Sequence, residues 1–327
     1  MELMKALRVH QFGPPGSLRL DEVPTPAPGP DEVRIELRAC GVNFADIMVI
    51  GGTYQLLPEM PFVPGKEMAG VVSAVGSEVS SFAVGQRVRA AIEWGAFQEQ
   101  VCIPARLCHP TPDSMSFEEA AAFNLTYLTA FYALMRRARV QAGETVLVTA
   151  AAGGVGTAAI QIASALGARV IAYVGAPAKR SVAEAAGAEE VIDSSQGSLR
   201  DRVHALTEGR GADVVVEMVG GDVFESCLRA TAWEGRLVTT GFASGTIPVA
   251  RAGYLLVKNI SVLGLQVTDY RDREPDGWQA AMYELDELYE RGLIRPVVSA
   301  RYPLQQAAEA LAVVKRGETT GKVVLTI

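Results

Sequence analysis

The chain has 327 residues, of which 49% are hydrophobic and 20% charged, with a formal net charge of −7. That length exceeds one ordinary core and predicts a globular, soluble protein of two domains. The negative balance argues against nucleic acid or an anionic membrane as the main partner, because both require clustered positive charge.

In chain order, the opening Met1-Glu2-Leu3-Met4-Lys5 lacks the apolar core of a signal peptide, which sets the expectation of a cytoplasmic protein. Short alternating apolar runs follow, at Met4–Val9, Glu32–Ala39 and Met68–Gly76, separated by glycine and proline. They predict a small, twisted, β-rich domain over residues 1–124. Cys40, Cys102, Cys108 and Cys227 form no C-x-x-C pair, and His10, His109 and His204 complete no zinc set with them. Cys102, Cys108 and His109 lie close together, but in a strand followed by the Pro110–Pro112 turn; inert thiols are the better reading. The basic cluster Arg136-Arg137-Arg139 reads as a solvated helix end.

From about Asn124 the pattern changes to strands alternating with helices. Val146-Leu147-Val148-Thr149 reads as a buried strand that turns at Ala150-Ala151-Ala152-Gly153-Gly154-Val155-Gly156 into a helix N-terminus. Such a turn binds a dinucleotide pyrophosphate, because glycines admit the phosphates closely and the first-turn N–H groups donate to them. The fingerprint G-x-G-x-x-G falls on Ala151–Gly156 with its first glycine replaced by alanine. The small-residue helix Ala158–Leu166, stopped at Gly167, and the strand Arg169–Val174 complete a strand-turn-helix-strand unit. No charged residue lies between Thr145 and Ala168. The glycines, Thr149, Gln161 and Ser164 break that stretch, so it reads as a strand and helix of a sheet covered on both faces rather than a membrane span.

Further strands are predicted at Ala212–Val219, Gly235–Gly241 and Ile260–Leu265, giving a doubly wound parallel sheet over residues 125–267. Residues 268–327 contain amphipathic stretches at Trp278–Arg291 and Leu304–Val314 and a last strand, Gly321–Ile327. This segment is expected to return to the first domain. There is no internal repeat or low-complexity linker.

At this point the chain resembles the medium-chain dehydrogenase/reductase superfamily, and within it the zinc-free, zeta-crystallin-like quinone oxidoreductase branch. The resemblance spans nearly the whole length. It rests on Ala39–Asp46, Pro64–Val72, Val84–Val88, Leu128–Leu134 and the alanine-rich turn. It implies a GroES-like catalytic domain and a Rossmann domain separated by a cofactor cleft. In zinc-dependent relatives the positions of Asn43 and Lys66 carry a cysteine and a histidine ligand, and a further cysteine quartet holds structural zinc; all are missing here. Without a Lewis acid to polarise an alcohol, reduction of an already electrophilic acceptor becomes the expected chemistry.

Cofactor choice follows from the second strand's end. A carboxylate there favours NAD, whereas this strand ends in Val174-Gly175 and is followed by Lys179-Arg180. NADPH is the expected donor. The resemblance places Lys179 at the 2′-phosphate and Ser194 beside the adenine ribose, where an aromatic side chain is common in the branch. Gly153, Gly154, Val155, Gly175, Gly241 and Phe242 complete the expected cofactor contacts.

In the branch, Asn43, Asp46, Tyr54 and Thr129 match positions lining the nicotinamide and the acceptor. Asn43 would orient the carboxamide or a water, Thr129 would bond the nicotinamide, and Tyr54 would donate to a carbonyl oxygen. Met48 replaces a second tyrosine, and Glu93-Trp94 match the pocket-facing stretch. Each has a plainer reading: Asn43 and Asp46 as a helix start, Tyr54 as surface in a mobile loop after Gly51-Gly52-Thr53, and Trp94 as core.

The expected function is therefore NADPH-dependent, zinc-independent hydride transfer to small hydrophobic quinones. The alternatives are reduction of α,β-unsaturated carbonyls or enoyl thioesters, and nucleotide binding without turnover. The resemblance also implies a homodimer joined through the edge strand near Ile260–Leu265.

Overall fold

A computed structural model describes residues 2–327. They form two compact units, one made of the described residues up to Leu125 together with Pro296–Ile327, the other of Thr126–Arg295.

The first unit begins with an antiparallel pair, β1 (Leu3–Arg8) and β2 (Arg19–Pro24). In β3 (Glu32–Val42) the charged Glu32, Arg34, Glu36 and Arg38 alternate with buried Val33, Ile35, Leu37 and Ala39, the period of a strand covered on one face. There follow α1 (Phe44–Ile50), β4 (Glu67–Val75), β5 (Arg87–Ala91), β6 (Gln100–Pro104) and β7 (Cys108–Pro110), with antiparallel pairing throughout. Helix α2 (Phe117–Phe131) contains the boundary between the units and runs into a wider helical turn, Tyr132–Ala138.

The second unit alternates strands and helices: β8 (Thr145–Val148), α3 (Gly154–Ala165), β9 (Arg169–Val174), α4 (Arg180–Ala185), β10 (Glu190–Asp193) and α5 (Leu199–Leu206). Its second half holds β11 (Ala212–Glu217), α6 (Gly221–Ala230), β12 (Thr231–Thr239), α7 (Ala252–Lys258), β13 (Ser261–Gly264), α8 (Val267–Arg273) and α9 (Pro275–Glu290). The six strands are parallel in the order β10-β9-β8-β11-β12-β13. The order reverses between β8 and β11, and this reversal opens the crevice that a doubly wound sheet offers to a ligand. Its central strands are buried on both faces, which accounts for the uncharged stretch: every residue of β8 is buried, as are Ala158, Ala159, Ile160, Ile162 and Ala163 of α3. Among the described residues no helix is long and apolar enough to cross a membrane.

The chain then returns to the first unit as β14 (Val298–Pro303), α10 (Ala307–Lys315) and β15 (Lys322–Thr326). β15 joins β3 antiparallel and β14 parallel, extending the sheet to β14-β15-β3-β4-β5-β7 with β6 also on β3. The expected return at residue 268 is corrected: only Pro296 onward rejoins the first unit. Residues 268–295 stay with the second because aromatic packing holds them there, Tyr132 lying 4.3 Å from Tyr270 and 6.1 Å from Trp278 between ring centroids. Arg136, an exposed residue of the basic cluster, pairs with Glu274 at 2.9 Å.

Candidate active site

The turn from β8 into α3 is the candidate nucleotide-binding element of the second unit. Thr149 ties the end of β8 to β11, its N–H donating to Val216 O at 3.0 Å and its Oγ accepting from the N–H of Met218 at 2.9 Å. The bend itself falls on Ala150, whose φ is +43°, an uncommon and strained conformation for alanine. The sequence reading assigned the bend to the glycines; the glycine that geometry demands is Gly156. A Cβ there would stand 2.4 Å from Ala150 O and 2.7 Å from Ala151 Cα. Gly153 occupies the N-cap of α3 with no side chain to cap the first turn, so the N–H groups of the helix start are left for an anion.

Across the switch point, Glu217 ends β11 fully buried. Its Oε1 accepts from the N–H groups of Val219 at 2.7 Å and Gly220 at 2.9 Å, while Oε2 has no partner. Burial raises its pKa against these bonds. Gly241 and Phe242 follow β12 in a loop tied to this strand end by Ala243 N–H donating to Met218 O at 2.9 Å. The sequence reading missed Glu217; its signal was a lone carboxylate ending an apolar strand.

At the end of β9, Gly175 is exposed and Lys179 lies in the short turn Pro177–Lys179 before α4. The neighbouring Arg180 is engaged elsewhere, donating to Val191 O at 2.6 Å and Asp193 Oδ2 at 3.3 Å. Asp193 also accepts from the backbone and hydroxyl of Ser195, and the hydroxyl bond is the first cause holding its carboxyl below the usual range. Ser194, expected beside the adenine ribose, donates its one hydroxyl proton to Gly175 O at 2.8 Å and so links the two loops.

In the first unit, Asn43 caps α1 and Asp46 reaches back to accept the Asn43 N–H at 2.8 Å, half of a capping box. The second oxygen of Asp46 is buried without a partner, and burial raises its pKa to about 7. The Asn43 amide is enclosed. Its Nδ2 donates to Glu67 Oε1 at 3.0 Å and Gly41 O at 3.4 Å, and its Oδ1 accepts from Lys322 Nζ at 2.6 Å. Both amide hydrogens thus have protein acceptors, where the sequence reading gave the amide to the nicotinamide or a water.

Lys322 Nζ also donates to Glu67 Oε1 at 2.6 Å and Val42 O at 2.9 Å; Glu67 Oε2 accepts the Leu125 N–H at 3.0 Å. Gly41 makes room for the cluster, since a Cβ there would lie 2.4 Å from Glu67 Oε1. The second changed ligand position, Lys66, is buried and donates to Glu93 Oε2 at 2.8 Å and Glu93 O at 3.0 Å, with Nζ 4.5 Å from the centre of the Tyr54 ring. Ammonium groups and amide donors offer no ligand lone pair to a metal. Among the described residues no group of three His, Cys, Asp or Glu side chains is placed to hold one. Glu67, Lys322 and the pairing of Lys66 with Glu93 were not read from the sequence; Glu67 and Lys322 are each a charge opening an apolar strand, a pattern that signals a buried partner.

Tyr54, Met48 and Trp94 are half-buried. At the start of the Tyr54 loop, Gly52, at φ +72°, packs on the Phe12 ring, and Thr53 N–H donates to Met48 O at 2.9 Å. Thr129 lies buried on α2, in the second unit. Cys40 is buried, its thiol donating to Ala96 O at 2.7 Å, and burial pushes the thiols of Cys102 and Cys108 up to about 11 and about 12, the range of unreactive cysteines.

Family models described as "Alcohol dehydrogenase GroES-like domain" and "Zinc-binding dehydrogenase" match residues 29–113 and 154–286. Quinone oxidoreductase-like protein 2 of Mus musculus is 40% identical over 311 residues, covering 95% of this chain and 89% of that protein. Quinone oxidoreductase of Pseudomonas aeruginosa is 40% identical over 326 residues and 99% of both chains. The crystal structure of Escherichia coli quinone oxidoreductase complexed with NADPH superposes with a TM-score of 0.92 at 34% identity, covering 99% of this chain and 100% of that one. With the Rossmann strand order, the antiparallel unit closed by the C-terminal strand and the full-length similarity together, the chain belongs to the zinc-free quinone oxidoreductase branch of the medium-chain dehydrogenase/reductase superfamily.

Proposed function

We propose that the protein is an NADPH-dependent reductase that delivers hydride to small hydrophobic quinones. The observation that carries the reading is the C-terminal edge of the parallel sheet. There α3 starts uncapped behind the close contact at Gly156, and β9 ends in Val174-Gly175, with Lys179 in the next turn and no carboxylate at its tip. Such an edge suits a pyrophosphate and favours a 2′-phosphate over the two free hydroxyls of NAD. The Pseudomonas aeruginosa relative named quinone oxidoreductase supports the acceptor class.

When bound, NADPH supplies the hydride. The first turn of α3, at Gly153, Gly154 and Val155, holds the pyrophosphate, and Lys179 holds the 2′-phosphate as a point charge. Gly175, Ser194, Gly241 and Phe242 border the nucleotide, and Thr129 bonds the nicotinamide. Tyr54 donates its hydroxyl to the acceptor oxygen, beside Met48 and Trp94, and so stabilises the negative charge that develops there. Asn43 and Asp46 act by holding the start of α1. Solvent protonates the reduced quinone, so no buried acid is needed.

The outer edge of β13 supports a homodimer. Next to it in the chain, α7 carries Leu256 and Val257, which are 79% and 78% exposed, a pair that association would cover.

NADPH oxidation is the test, measured against ortho-quinones, para-quinones and enones with NADH as control donor. Turnover of quinones with NADPH bears the reading out. Turnover confined to enones makes the protein an alkene reductase, and NADPH binding without turnover makes it a nucleotide-binding protein.

A further inference from the structure

Lys66 stands where zinc-dependent relatives hold a metal ligand, and nothing in the proposed reaction yet uses it. Its three ammonium donors face two groups. Two are taken by the carboxylate and carbonyl of Glu93, at 2.8 and 3.0 Å. The third has no oxygen or nitrogen acceptor among the described residues, and the face of the Tyr54 ring lies 4.5 Å from Nζ. Lys66 is 2% exposed, so little water competes for that contact, and a desolvated cation over an aromatic face is strongly held. Residues 51–54 are anchored at their start by Phe12 and Met48, and the Tyr54 ring packs on one side against the apolar core of the first unit, with the Lys66 ammonium over its face.

We propose that Lys66 is a positioning residue: clamped by Glu93, its ammonium seats the Tyr54 ring and thereby aims the phenol hydroxyl at the acceptor. This assignment rests on the reading that Tyr54 faces the acceptor. It also gives the changed ligand position a task, with a fixed cation orienting a hydrogen-bond donor in place of a bound ion polarising the oxygen directly. Because the hydroxyl acts on the acceptor alone, loss of the clamp lowers the efficiency of acceptor reduction and leaves the nucleotide side unchanged.

The experiment compares the paired variant Lys66→Met with Glu93→Gln, which leaves no unpartnered buried charge, with Lys66→Arg, each in the native and the Tyr54→Leu background. The paired variant is expected to lower kcat/KM for the quinone about tenfold, with KM for NADPH within about twofold. Lys66→Arg retains most of the native value. In the Tyr54→Leu background the effect of the paired variant disappears, because the group through which Lys66 acts is gone. An equal fold-loss in both backgrounds overturns the proposal. Amide hydrogen exchange over residues 53–56 provides a readout independent of turnover: it quickens in the paired variant and in Tyr54→Leu alone, and not in Lys66→Arg. Unchanged exchange in Tyr54→Leu overturns the proposal even if the paired variant does not fold. If the native protein reduces no quinone, the proposed function fails, and the exchange measurements still decide the role of Lys66.

Discussion

The ammonium of Lys322 lies 2.6 Å from Oε1 of Glu67, joining residues 255 positions apart in a pair whose side chains are 6% and 0% exposed. Strand pairing brings them together: β3 lies between β4 and β15, with Gly41 opposite Glu67 and Val42 opposite Val323. The pair fixes Asn43, and with it the start of the helix that precedes Tyr54.

Removing one member of this pair leaves a buried charge alone. Lys322→Met is expected to destabilise the protein by about 3–5 kcal/mol, and Lys322→Met with Glu67→Gln by clearly less, because the double change removes both charges. Urea unfolding of the two variants measures the difference; equal losses would show that shape rather than charge is what Lys322 contributes.

Asp46 has its pKa raised to about 7, first by burial. The folded protein therefore holds this proton more tightly than the unfolded chain. The favourable contribution is complete below the unfolded carboxyl range, is lost as pH rises through about 7, and stays lost above it. Asp46→Asn, which keeps an acceptor for the Asn43 N–H, should gain stability over the native protein between about pH 4 and 7. The slope should approach at most about 1.4 kcal/mol per pH unit, followed by a plateau. Unfolding of both proteins across pH 4–8 checks the sign.

Lys179→Ala is expected to raise KM for NADPH on the order of tenfold or more while leaving that for NADH nearly unchanged, since only the former carries the 2′-phosphate. Steady-state kinetics with both donors decides; a common rise would move Lys179 away from the phosphate.

Tyr54→Phe removes a hydroxyl that stabilises charge but is not asked to supply a proton. Its cost in kcat should remain below the roughly 10²- to 10⁴-fold typical of a general acid. A larger loss, measured at saturating NADPH, would assign a committed proton donor and favour alkene reduction.

Leu256→Glu with Val257→Glu adds charge to two exposed apolar positions that make no intramolecular core. Sedimentation velocity should show a dimer converted to monomer with the melting temperature of dilute monomer retained. Identical sedimentation of the native and variant chains would remove this face from the interface.

The elements and the family were legible in residue order because their signals are local. The alternation in β3, the uncharged run through β8 and α3, and the absence of a carboxylate after Val174 each lie within a short stretch of chain. Position Gly156 could also be marked, since the helix must start close behind the strand. The positive φ at Ala150 carried no such mark, because alanine is not a residue type that signals it.

What the sequence by itself determined is the class of fold and the strand-turn-helix unit from Val146 into α3; the family resemblance added Asn43 and Lys66 as positions where zinc-dependent relatives carry ligands. Only the tertiary structure decided what those positions do: Asn43 is enclosed by Glu67 and Lys322, Lys66 by Glu93 and Tyr54, and Ser194 turns to Gly175. The physical reason is that a buried polar group takes its role from the partner that compensates its lost hydration. Here that partner comes from another strand or loop, at a distance set by sheet register rather than by spacing along the chain.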